Sequence, residues 1–236
     1  MTAKELLAAG NVRAAEATLA AYLREHPADA ASRTFLFEIL CFSGQYQRAE
    51  KQLAVLSQGG KDAELGAVLY YSALHAEQTR HDIFRKEEYP AVPAAPSPPG
   101  KLNGKPFQSI QDMDPAVGAR LEVFAAGAYL WIPFQHIASL KMEAPRRLRD
   151  TLWSPAFVLT GPSFQGKDIG EVLIPAIYPF SWKSEEEPVW LGHSTEWVAD
   201  EEGHEYPIGQ KMFLVDGQEV PLLEIRMLEF AGDASA

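Results

Sequence analysis

His193, Glu196 and His204 fall within twelve residues of one another, beside the acidic run "ADEEGHE" at 199–205. Two imidazoles and a carboxylate could in principle hold zinc. Their spacings of three and eight match no established ligand pattern, however, and the run reads as a solvated acidic loop. Nucleophilic and phosphate chemistry find no foothold. There is no Gly-x-Ser-x-Gly elbow, no Gly-x-x-x-x-Gly-Lys loop and no Gly-x-Gly-x-x-Gly fingerprint. Arg149-Asp150, just before Trp153, is the charged pair that stands out. Asp150 could serve as a general base, or Arg149 could anchor a loop on a carboxylate. Adjacent residues on a strand face opposite ways, which favours the structural role. Cys41 is the single cysteine, so no intrachain disulfide and no cysteine-based zinc site can form. Nothing basic sits beside it to lower its pKa, and it reads as an inert core thiol. His136 reads as a surface histidine, and "SEEE" at 184–187 as a helix start or solvated turn without the EF-hand pattern. These readings predict no enzyme, no metal and no cofactor.

Charge narrows the partners. The net charge is −11, and residues 91–236 carry 11 basic against 20 acidic side chains, while residues 1–90 carry 10 against 12. Duplex nucleic acid and anionic membranes need Lys and Arg to neutralise phosphate, so both are disfavoured. No eighteen-residue apolar run predicts a membrane span, and "MTAKELLAAG" lacks the features of a secretory signal. The expectation is a cytoplasmic protein without membrane insertion.

Helical periodicity organises the first ninety residues. Thr2 with Glu5 predicts a capping box for a first helix through about Ala9. Further helices are predicted over 12–25, around 35–42, over 46–56 and from Leu65 to about Glu88. "GNVRAAEATLA" at 10–20 returns as "GQYQRAEKQLA" at 44–54. A thirty-four-residue period is that of the tetratricopeptide repeat. Gly10 and Gly44 allow the turns, and Ala15 and Ala49 let paired helices approach closely. The repeat does not recur after the second copy, and "EQTRHDIFRKEEY" (77–89) grows polar, as a terminal capping helix should.

"PAVPAAPSPPG" at 90–100 holds five prolines and predicts a stiff spacer. Beyond it, "LNGKPF" predicts a tight turn at Asn103-Gly104, and 115–126 a helix. β-type runs follow at 129–134, 137–142, 155–160, 171–178, 196–200, 211–216 and 221–230, the last two joined by an Asp-Gly turn. The predicted fold is α+β: tetratricopeptide-like helical hairpins over 1–89, a proline-rich linker over 90–100, and a mainly β domain over 101–236.

Several blocks carry a resemblance. "RTFLFEILCFSGQYQRAEKQL", "LEVFAAGAYLWIPFQHIASL", "LRDTLWSPA", "IPAIYP" and "GQKMFLVDGQEVPLLEIRMLEF" resemble the ImpE/TagJ proteins, accessory components of type VI secretion. The likeness covers about residues 6–60 and 102–230. It implies a non-catalytic adaptor that binds the N-terminal helix of the small contractile-sheath subunit and is linked to the AAA+ unfoldase. Stacked hairpins offer a concave groove suited to such a helix. The leading helix of each hairpin usually faces that groove, which nominates Thr34, Glu38, Phe42, Val68, Ser72 and His75 as partner-binding residues. Phe42 and His75 suit the core as well as the groove. Gly10, Ala15, Gly44, Ala49, Arg149, Asp150 and Trp153 are expected to be structural. The competing reading is a hydrolase or small-molecule site in the tryptophan-rich C-terminal half, with Asp150, His136 or His193 converging on one pocket.

Overall fold

Thr2 opens the chain with the capping box its sequence predicts: its hydroxyl accepts from the Glu5 amide at 3.3 Å, and the Glu5 carboxylate accepts from the Thr2 amide at 2.8 Å. Five helices follow in order: α1 (Ala3–Ala8), α2 (Val12–Glu25), α3 (Ala30–Phe42), α4 (Tyr46–Leu56) and the long α5 (Lys61–Lys86). Asp29 starts α3 by accepting from the Ala31 and Ser32 amides. Gly10 and Gly44 turn the chain at φ +80° and +69°, a region a side chain disfavours. Ala15 and Ala49 are fully buried between the helix pairs. The computed structural model describes residues 1–91, 95–166, 168–200 and 202–231. Residues 92–94 of the predicted linker and Glu201 of the acidic loop lie outside them.

The rest of the chain is predominantly β. β1 (Gly100–Leu102) and β2 (Lys105–Phe107) form a hairpin over Asn103-Gly104, both at positive φ. β3 (Ile110–Asp112), β4 (Arg120–Ala125), β5 (Ala128–Pro133), β6 (Ile137–Met142), β7 (Trp153–Thr160) and β8 (Gly170–Pro175) follow. A short helix α6 (Glu187–Trp190) then leads to β9 (Thr195–Ala199), β10 (Glu205–Gly209), β11 (Met212–Val215), β12 (Gln218–Pro221) and β13 (Met227–Phe230). An eight-stranded sheet runs β2-β1-β13-β6-β7-β8-β4-β5, with each neighbouring pair antiparallel. A three-stranded sheet, β12-β11-β3, shares a core with it. The fold is therefore α+β, with tetratricopeptide-like hairpins at the N-terminus.

Two readings need correction. Residues 115–126 are not a helix. The Asp114 side chain and carbonyl hold only a single turn through Ala116, Val117 and Gly118, and the chain then enters β4. β4 is buried on both faces, and the alternation of Arg120-Leu121-Glu122-Val123 gives way to apolar Phe124 and Ala125, so the strand signal is only four residues long. The run 221–230 is likewise not one strand. A 3-10 turn at Leu222–Glu224 precedes β13.

The two halves share one hydrophobic core. Leu19, Phe37, Leu40 and Leu74 of the helices cluster with Phe124, Trp131, Trp153 and Trp190 of the β half. The proline-rich segment also ends tied to the sheets. Ser97 Oγ accepts from the Ile110 amide and the Pro99 carbonyl from the Ala231 amide, each at 2.8 Å.

Candidate functional site

The concave face of the hairpins is covered by the chain's own β half. Every residue of α3 from Leu36 to Phe42 is buried. Phe42 is therefore not a partner-binding residue: with 2% exposure it fills the core, as Cys41 does. Burial raises the Cys41 thiol well above its ordinary value, which leaves it protonated. The repeat glycines have a second use here. A Cβ on Gly10 would lie 2.9 Å from Pro188, and one on Gly44 would lie 2.4 Å from the Trp182 ring. The hairpin tips are thus docking points for the β half as well as turns.

Arg149 and Asp150 lie in a 3-10 turn at Leu148–Thr151, not on a strand. The Arg149 guanidinium reaches Glu38 at 3.3 Å and lies 4.8 Å from the Tyr70 ring centre. Asp150 accepts from the amides of Arg146 and Arg147 at 2.9 and 3.0 Å. Burial raises the Glu38 carboxyl, and Arg149 opposes that shift. The residues of the hydrolase reading do not converge. His136 bonds to Ser163, His193 is exposed, and Asp150 is spent on backbone amides. Glu196 accepts from Ser184, while His204 meets Asp200.

The remaining predicted residues divide between two clefts. Thr34 and Glu38 line one of about 630 Å³ with Leu148, Leu191 and His193. Val68 and Ser72 line a larger one of about 780 Å³ between the N-terminal half of α5 and the outer face of β4, β7 and β8. His75 is exposed and lines neither. Leu65, Val68 and Leu69 are 70%, 58% and 54% exposed, an apolar stripe at i, i+3 and i+4 that Ser72 continues at i+7. Across the cleft stand Phe124, Pro155, Phe157 and Leu173. Lys141, Glu143, Arg149 and Glu171 lend the lining both signs of charge.

A buried ionic network that the sequence reading missed joins α5 to the β half. Arg80 Nε donates to Glu122 at 2.7 Å; its Nη1 reaches Glu77 at 3.2 Å and the Ile177 carbonyl at 3.0 Å. Lys211 pairs with both Glu122 and Asp112. His81 Nε2 sits 2.8 Å from Glu77 and 3.0 Å from the Tyr46 hydroxyl, while Trp153 Nε1 donates to Glu77 at 2.8 Å. Burial pushes the Glu122 carboxyl up, but Arg80 and Lys211 outweigh it and hold the group well below the usual carboxylate range. At Asp112 burial wins over Lys211 and the pKa is raised. Burial also lowers the His81 pKa, despite Glu77. The polar end of α5 is thus not a solvent-facing cap. Glu77, Arg80 and His81 turn inward because their counter-charges and partners come from the sheet and from α4. Their i, i+3, i+4 spacing, in phase with buried Ala73 and Leu74, was the available signal.

Four similarities accompany this geometry. The sequence model of the ImpE protein family matches residues 104–229, and a tetratricopeptide repeat model matches residues 6–69. The type VI secretion system accessory component TagJ of Pseudomonas aeruginosa is 31% identical over 264 residues, spanning 98% of this chain and 91% of that protein. The crystal structure of protein VPA1032 from Vibrio parahaemolyticus shares the fold with a TM-score of 0.84 at 22% identity, over 98% of each chain. The match over most of the β half, and the identity along nearly the whole chain, place this protein in the ImpE family.

Proposed function

We propose that the protein is a non-catalytic accessory component of a type VI secretion system, acting in the cytoplasm. Its partner is an amphipathic helix, the N-terminal helix of the small contractile-sheath subunit, which it links to the AAA+ unfoldase. The similarity to TagJ supports the accessory role. The observation that carries the binding mode is the exposed stripe of Leu65, Val68 and Leu69 facing Phe157 across an open cleft. A helix laid there would bury apolar anchors on two sides, and the charged lining would set its register. Of the residues nominated from sequence, Val68 and Ser72 line this groove; Thr34 and Glu38 line the neighbouring cleft. Most of the groove wall comes from the β half and not from the hairpins.

Calorimetric titration of the full chain with a peptide of that sheath helix tests the reading. Saturable binding with a negative heat-capacity change is expected. Leu69→Asp should weaken it at least tenfold, ~1.4 kcal/mol, because a charge would be buried against the bound helix. Unchanged affinity in a folded Leu69→Asp protein would move the partner away from α5, and no binding by the parent protein would overturn the reading.

A further inference from the structure

At the opposite end of α5 lies a third cleft, of about 410 Å³, whose lining shares no residue with the groove beside Leu65, Val68 and Leu69. Its floor is Asp114, only 4% exposed. Oδ1 of that carboxylate accepts from the Ala116 amide at 2.9 Å, the one hydrogen bond to the carboxylate among the described residues, and the carboxylate lines the cleft. The walls are aromatic and proline-rich: Phe84, Tyr89, Phe180 and Tyr206, with Pro179 and Pro207. Tyr89 stacks on Trp131 at 5.7 Å and meets Phe84 edge-on at 5.4 Å, so packing holds the wall in place.

The charges at the mouth decide which ligand sign the cleft fits. Arg85, Lys183 and His204 would suit an anion if they were available, but each is engaged. Arg85 pairs with Asp82 at 2.7 Å, His204 meets Asp200 at 3.2 Å, and the Lys183 ammonium lies 4.5 Å from the Phe180 ring centre. That last contact shows an aromatic surface of this cleft already accepting a cation on its face. Behind the floor, Asp112 and Glu122 add negative charge, which Lys211 and Arg80 partly balance. Burial first, and then Asp112, push the Asp114 carboxyl up to about 6, a group short of positive charge. The surplus of acidic residues in this half draws basic segments toward it.

We propose that this cleft receives the arginine or lysine side chain of a basic segment of a partner protein, with Asp114 as its counter-ion and the aromatic rings as its walls. The site goes beyond the sheath-helix reading and does not depend on it. A peptide with no helical requirement probes it without engaging the α5 stripe.

The test uses the full chain, labelled for amide NMR, and the peptide Ac-Gly-Ala-Arg-Ala-Gly-NH2, with the citrulline-for-arginine peptide as the uncharged isostere. Saturable shifts at the Ala116 and Tyr206 amides are expected, with affinity at least tenfold above that of the citrulline peptide. Asp114→Asn keeps the acceptor for the Ala116 amide and should cost about tenfold in affinity with other amides unmoved. Tyr206→Ala, at a partly exposed position, should weaken binding independently. Absence of saturable shifts, an equal response to the citrulline peptide, or undiminished binding by Asp114→Asn would each overturn the proposal.

Discussion

A carboxylate taken out of water costs several kcal/mol unless cations and donors replace its lost hydration. Glu122 receives Arg80, Lys211 and the Tyr129 hydroxyl, and it stays charged. Asp114 receives one backbone amide and is left with a pKa of about 6 against an ordinary 3.8. The folded protein therefore binds this proton more tightly than the unfolded chain does. Asp114 contributes nothing unfavourable at a pH below its unfolded value; it costs stability progressively as pH rises toward about 6, and fully above that. Asp114→Asn is expected to raise unfolding stability by roughly 1–3 kcal/mol near neutral pH and to change it little near pH ~3.5. Urea denaturation at both pH values checks this, and an equal difference at the two would contradict it. The same gain ensures that lost peptide binding in this variant is not lost folding. Neither carboxylate could be singled out from sequence. Glu122 sits in "LEVF" like any strand glutamate, and its cations lie 42 residues before it and 89 after.

Among the elements, the hairpins were the most legible. Gly10 and Gly44, Ala15 and Ala49 recur at one period, and a helical hairpin needs a turn-forming residue and a small one at those places. Ala49→Leu inserts three heavy atoms where exposure is zero. It should destabilise the protein by roughly 1–3 kcal/mol or more, a fall in Tm of several degrees by about 2–4 °C per kcal/mol. Unaltered melting would count against the repeat assignment. The strands were legible where one face meets solvent and obscure where both are covered. β7 was read within two residues of its start because Phe157 and Leu159 face outward between buried neighbours. β4 was misread because its alternation lasts only four residues before Phe124 and Ala125, the face toward the helices carrying buried Phe124 beside Glu122.

At the scale of the whole molecule, the helical and β halves are bound by one core and one ionic network. Residues 1–89 made alone would take Phe37 from Trp153 and Glu38 from Arg149, and would strand Arg80 without Glu122. That fragment is expected to lack a cooperative thermal transition by circular dichroism, while the full chain retains one. A cooperative melt for the fragment would show that the hairpins fold without the sheet. The same docking covers the concave face on which the repeat alone would place a partner. The groove assigned to the hairpins from their repeat is occupied at Phe42 and Trp153, and the exposed apolar surface lies instead where the N-terminal half of α5 overhangs the sheet.

What the sequence by itself determined was local and periodic: the helices and their turns, most of the strands, the Asn-Gly and Asp-Gly hairpins, the acidity of the C-terminal half and the blocks that mark the family. Those signals sit within windows of a few to thirty-four residues, the range over which backbone geometry and side-chain periodicity act. The tertiary structure alone decided which face of each element is covered. That choice pairs Arg80 with Glu122, Glu38 with Arg149 across 111 positions, and Gly44 with Trp182. A helix records in its own sequence that it has an apolar face; whether its charged residues face water or a buried counter-charge depends on a surface assembled from distant strands.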